Sequence, residues 1–161
     1  MHQGCDGEDK RFRSTGSTGA DLESGLAAVT RVFSDDPDIV FALLFGSQAK
    51  QTAGPLSDVD LAVYLRPGLH RDARFDKAIE LAGLSSMCLK TSKVDVIALN
   101  DASPELAYSV FKHGRLLFCK DDLLFIRTKV RAINFYIDRA PLRAIFRKYL
   151  AGRVRDGEYG H

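Results

Sequence analysis

Two aspartates one residue apart, Asp58 and Asp60, open an apolar run that continues to Leu65. In a strand, with its period of two, Asp58, Asp60, Ala62 and Tyr64 share one face, and Val59, Leu61, Val63 and Leu65 share the other. The two carboxylates then point the same way, with Cα atoms roughly 6.6 Å apart. Like charges placed side by side repel, and bury poorly unless a cation lies between them. Hard divalent cations such as Mg²⁺ take carboxylate oxygens together with substrate phosphates. Upstream, a second apolar run, Ile39 to Phe45, ends abruptly at Gly46-Ser47. A strand that stops at Gly-Ser and turns into a helix from Gln48 onward leaves N–H groups aimed at the turn, where glycine lets a phosphate approach the backbone. One element offers donors to a phosphate and its neighbour offers carboxylates to the metal on that phosphate. The chemistry this spacing suggests is metal-assisted nucleotidyl transfer. Either half alone reads equally well as a helix-capping serine or as two solvated turn aspartates; together they point to a nucleotide site.

The pattern of Gly-Ser, ten residues, then Asp-Val-Asp resembles the signature of the DNA polymerase beta nucleotidyltransferase superfamily. It is similar in particular to the smallest members, the minimal nucleotidyltransferases, many of them antitoxins paired with HEPN-domain ribonuclease toxins. The likeness runs from Leu22 to Leu150. It includes the late stretch FIRTKVRAINFYIDRAPLRAIFRKYL, where a long helix leads into an Asp-x-x-Pro-Leu turn. Many relatives carry Arg-Gly soon after Gly-Ser-x-Ala, where this chain has Lys50-Gln51, so a basic group persists and the glycine is displaced. The resemblance implies ATP as donor, AMP as the transferred group, two Mg²⁺ ions, and a tyrosine hydroxyl of a HEPN toxin as acceptor. In that reading Gly46 and Ser47 bind the nucleotide phosphates, and Asp58, Asp60 and Asp95 hold the metals as the catalytic cluster.

Asp95 lies mid-strand in the apolar run Lys93 to Leu99, where an unpaired carboxylate is costly. If that strand lies beside the aspartate-bearing one, Asp95 completes a three-carboxylate cluster on the acceptor side; otherwise it belongs to a salt bridge with Lys93 or Arg115. Lys50 falls one helical turn after Ser47, in reach of a phosphate as a point charge or simply facing solvent. Ser57 reads as a turn cap, because no His or Lys is placed to activate it. His2, His70, His113 and His161 show no ligand pairing. The basic positions Arg139, Arg143, Arg147, Lys148, Arg153 and Arg155 form a solvated face or meet an acidic partner or RNA, with direct nucleic-acid binding the weaker expectation.

The elements that must position these residues alternate. Apolar spacing predicts a helix over Asp21 to Phe33, a buried strand over Ile39 to Phe45, and a short helix after Ser47 closed by Gly54-Pro55. The strand Val59 to Leu65 follows. A helix over Arg71 to Leu84 is expected to bury Phe75, Ala78, Ile79 and Ala82. The strand Lys93 to Leu99 comes next, then a helix from Ser103-Pro104 to His113 and an edge strand, Arg115 to Cys119. The last helix is expected to pack Ile126, Val130, Ile133 and Ile137 inward, with Pro141 interrupting it before a second helix over Leu142 to Leu150. The fold class is α/β: a nucleotidyltransferase fold with a small mixed sheet flanked by helices, plus C-terminal helices. The expected division is a flexible polar lead over 1–20, a core over 21–120 and a helical section of the same domain over 121–151.

At 161 residues and 45% apolar the chain can bury one substantial core, and a net charge of +2 implies no strong nucleic-acid or membrane field. Cys5, Cys88 and Cys119 have no metal or disulfide spacing, and no apolar run approaches ~20 residues, which together read as cytoplasmic, without a membrane. Two other functions use the same residues. One is an antitoxin that silences its toxin by contact, the other a small-molecule adenylyltransferase of the aminoglycoside type, for which the C-terminal section offers little substrate domain. An adjacent reading frame encoding a helical protein with an Arg-x₄₋₆-His motif would favour the toxin partner. Because the helix face above is assigned to the core, docking is expected on the Arg-rich side.

Overall fold

A computed structural model of the chain describes residues 19–49 and 58–145. Residues 1–18 of the expected lead over 1–20, Lys50, the Gly54-Pro55 and Ser57 positions and everything after 145 lie outside the described residues, and the last two residues of that lead, Gly19 and Ala20, open the first helix. The elements run α1 (Gly19–Asp35), β1 (Ile39–Phe45), α2 (Gly46–Ala49), β2 (Val59–Leu65), α3 (Arg71–Leu89), β3 (Val94–Ala98), α4 (Pro104–His113), β4 (Arg115–Cys119) and α5 (Asp122–Asp138). A short helical segment over 140–145 follows α5, with Pro141 in its first turn, where the missing N–H costs nothing.

The sheet has the order β3-β2-β1-β4, with β2 parallel to β3 and every other pairing antiparallel, so it is mixed as expected. β1 is internal and carries an almost unbroken apolar run because both its faces are covered. Ile39, Ala42 and Leu44 meet Leu26, Val29 and Phe33 of α1 and Leu81 and Leu89 of α3 in one core layer. Phe41 and Leu43 join Ala62, Leu99, Val110 and Phe111 in the other, under α4 and α5. The alternation of β2 and β3 obeys the same division. Val59, Leu61, Val63, Val94 and Val96 belong to the first layer, and Ala62, Tyr64 and Ile97 to the second.

Local chemistry explains most boundaries. The Ser103 hydroxyl accepts from the Leu106 N–H at 3.2 Å with Pro104 at the first helical position, which starts α4. Gly114 ends it for a packing reason: a Cβ there would sit 2.4 Å from the Val110 carbonyl and 3.2 Å from the Leu44 carbonyl. α3 runs five residues beyond the expected Leu84, since Gly83 sits in open space and breaks nothing, and Ser85 and Leu89 are still buried. Lys90 then caps it in the left-handed conformation, φ 54°, donating its N–H to the Ser86 carbonyl.

Two helix faces correct the sequence reading. On α3 the buried positions are Ala78, Leu81, Ser85 and Leu89, while Phe75 and Ile79 are 65% and 58% exposed. On α5 the inward residues are Phe125 and Ala132, with Ile133 half-buried, and Ile126, Val130 and Ile137 face outward. Each helix has two apolar stripes, and only contact with its neighbour selects one.

β3 ends at Ala98, but its pairing with β2 is prolonged by a side chain. The Leu65 N–H donates to Asn100 Oδ1 and Asn100 Nδ2 donates to the Leu65 carbonyl, each at 2.9 Å. Asn100→Ala removes both partners at once and is expected to cost about 1–3 kcal/mol, read as a lower midpoint in urea with an unchanged slope. A variant as stable as the wild type would show that water replaces the amide without loss.

Candidate active site

The C-terminal end of β1 and the N-terminal ends of β2 and β3 meet at one edge of the sheet. Register brings the residues together: Phe45 pairs with Asp60 across β1–β2, and Asp60 pairs with Asp95 across β2–β3. Neighbours in register present their side chains on the same side of a sheet, so Asp60 and Asp95 both face the layer of α4 and α5. Asp58 stands one residue before β2, two positions from Asp60, and is exposed.

Gly46 begins α2 with φ +74°, and a Cβ built there would lie 1.9 Å from Asp60 Oδ2 and 2.9 Å from its Cγ. The backbone of the turn is thus laid directly against the Asp60 carboxylate. No other residue type permits both the angle and the approach. Ser47 follows, half-buried, in the first turn of α2.

The Asp60 carboxyl is pushed above the ordinary carboxylate range, first by burial, then by the charges of Asp95 and Asp58. None of the ion pairs among the described residues involves Asp58, Asp60 or Asp95. Arg115, one salt-bridge partner considered for Asp95, instead pairs with Glu23 of α1 at 3.0 Å. The three carboxylates are electrostatic neighbours rather than a closed ligand cage: among the described residues no group of three His, Cys, Asp or Glu side chains is tight enough to hold a metal ion as it stands. Gly46, Ser47, Asp58, Asp60 and Asp95 therefore gather at one edge, whereas Lys50 lies outside the described residues.

Residues 28–123 match the polymerase beta nucleotidyltransferase family. The chain belongs to that family. No curated protein sequence matches this nucleotidyltransferase. Among solved structures, a toxin–antitoxin structure with AMP-PNP is 27% identical, with a TM-score of 0.62, covering 80% of this chain and 98% of that one. A MntA-HepT toxin–antitoxin structure is 25% identical with a TM-score of 0.60, covering 80% and 98%. A tri-AMPylated Shewanella oneidensis HEPN toxin in complex with MNT antitoxin is 24% identical with a TM-score of 0.61, again covering 80% and 98%; at that identity it shows the shared fold alone.

The sequence reading missed the outward apolar face of α5. The signal was present: Ile126, Val130, Ile133 and Ile137 form one apolar stripe and Phe125 and Ala132 another, more than one buried face can use.

Proposed function

We propose that this nucleotidyltransferase transfers AMP from ATP, with Mg²⁺, to a tyrosine hydroxyl of a partner HEPN ribonuclease toxin, and so acts as its antitoxin. The observation that carries the reading is the edge where Gly46 is pressed against Asp60, with Asp95 in register beside it. Carboxylate oxygens are the donors Mg²⁺ prefers, and three like charges on one edge fit a divalent cation better than they fit each other. Bound Mg²⁺ neutralises phosphate charge and favours the ionised acceptor hydroxyl. Asp58 and Asp60 hold the metals in this reading, and Asp95 completes the cluster on the acceptor side. Gly46 and Ser47 supply backbone N–H groups to the phosphates, with Lys50 as an added cation. The tyrosine O–H bond breaks with its proton passing to Asp95 or to solvent, the bond from the α-phosphorus to the leaving oxygen breaks, the bond to the tyrosine oxygen forms, and pyrophosphate departs. Most of the acceleration is positioning and charge neutralisation.

The likeness to toxin–antitoxin structures, one with AMP-PNP, supports both donor and partner. Among the described residues no helix is long and apolar enough to cross a membrane, and we place the activity in the cytoplasm. In this reading a core ending at 120 carries the site, with a helical section of the same domain over 121–151.

Incubating the chain with ATP, Mg²⁺ and its HEPN toxin partner is expected to raise that protein's intact mass by multiples of about 329 Da, one AMP each. The double variant Asp58→Ala, Asp60→Ala is expected to add none. Full neutralisation of the toxin by that variant, with no mass added even by the wild type, would replace this reading with silencing by contact.

A further inference from the structure

α5 carries more apolar surface than its contact with α4 covers. On the inner side, the Phe125 ring meets Phe41 and Phe111 edge-on at 5.1 and 5.7 Å, and Tyr136 stacks on Tyr108 at 3.8 Å. On the outer side, Ile126 and Val130 are 55% and 49% exposed, with Leu123 and Ile137 exposed beside them. An apolar stripe on a helix is ordinarily covered by a neighbour. Along the outer face runs a shallow, open groove of about 420 Å³, whose lining among the described residues belongs wholly to α5 and includes Ile126, Arg127, Val130, Arg131, Phe135 and Asp138. Arg131 lies over the Phe135 ring at 5.5 Å. Neither arginine takes part in an ion pair among the described residues, so two guanidiniums against one carboxylate leave the groove positive.

We infer that this groove docks a helix of the acceptor protein that carries apolar side chains and carboxylates. The inference rests on the proposed transfer to a protein hydroxyl. An apolar floor with unpaired arginines selects such a helix, the apolar side chains filling the groove and the carboxylates meeting Arg127 and Arg131. The chain matched in the toxin–antitoxin structure with AMP-PNP is covered over 98% of its length, so a chain of this fold with no added domain belongs to such a pair. α5 lies in the helix layer over the sheet face toward which Asp60 and Asp95 point: its Phe125 ring meets Phe41, in the cluster that also holds Ala62, Tyr64 and Ile97.

The test uses the full chain and two variants at exposed positions, Val130→Asp and the pair Arg127→Glu, Arg131→Glu, each checked for folding by circular dichroism and melting. The probe is the HEPN toxin partner of the proposed reaction, followed by titration calorimetry and by intact-mass rates. Both variants are expected to raise its Kd and its KM by about tenfold or more, with affinity for ATP and Mg²⁺ unchanged. Unchanged Kd and KM, with the wild type still modifying the protein, would overturn the groove alone. Val130→Asp splitting a dimer of this chain while leaving partner affinity intact would assign the face to a second copy and overturn it too. So would hydrogen-exchange protection of α5 that disappears on removal of residues 146–161. If the wild type neither binds nor modifies the protein, the transfer reading fails, and the groove with it.

Discussion

Gly46→Ala is expected to lower nucleotidyl transfer by about 10²-fold or more while the protein stays folded. Two penalties meet at this position. The backbone is at φ +74°, where an L-residue costs roughly 1–2 kcal/mol. The added methyl would also start 1.9 Å from Asp60 Oδ2, far inside contact distance. The first penalty is a matter of stability and lowers the melting temperature by a few degrees for a chain of this size. The second is a matter of function. The atom that must yield is the end of a side chain rather than backbone, so the fold survives, but the carboxylate is displaced by more than about 1 Å, and a misplacement of that size costs about 10²-fold. Measured together, kcat/KM falls far more than stability does. A variant that melts lower yet retains wild-type kcat/KM would show that Asp60 need not sit where the turn holds it.

Asp60→Asn is expected to separate stability from activity in the opposite sense. Transfer falls by on the order of 10²-fold or more, because the amide cannot stand in for a metal-binding carboxylate. The melting temperature of the ligand-free protein rises at neutral pH. The Asp60 carboxyl is raised from its ordinary 3.8 by burial and by the charges of Asp95 and Asp58. The folded state therefore holds the proton more tightly than the unfolded state does, and ionising Asp60 costs stability as pH rises through the raised pKa. Asparagine never ionises and escapes that cost. Its advantage is full above the raised pKa, shrinks as pH falls through it, and vanishes below 3.8. Melting curves of both proteins across this window, with and without Mg²⁺ and ATP, check the argument. An asparagine variant less stable at neutral pH than the parent would mean that the charge is already compensated within the protein.

The charge balance of this edge and the packing of α5 have a common form. In each, groups that a self-contained fold would neutralise or bury are left open among the described residues: three carboxylates at the ends of β2 and β3, and an apolar stripe on α5. Such exposure destabilises the isolated chain and is kept where a ligand or partner supplies the missing half.

The sequence by itself determined the strands and marked which of their residues could carry chemistry. Ile39–Phe45 and Val59–Leu65 are short apolar runs bounded by turn residues, and both strands begin and end where those boundaries lie. The period of two placed Asp58 and Asp60 on one face, and Ser103-Pro104 and Gly114 marked both ends of α4, because caps and breakers act through neighbours in the chain. What only the tertiary structure decided depends on atoms distant in sequence. The pairing of Asp60 with Asp95 follows from β3 lying parallel beside β2, which no local pattern specifies. The contact between Gly46 and Asp60 follows from the register of β1 on β2. On α3 and α5 two apolar stripes compete, Phe75 and Ile79 against Leu81 and Leu89, Ile126 and Val130 against Phe125 and Ala132. Periodicity cannot choose between them, because it counts apolar residues without knowing where the neighbouring helix will stand.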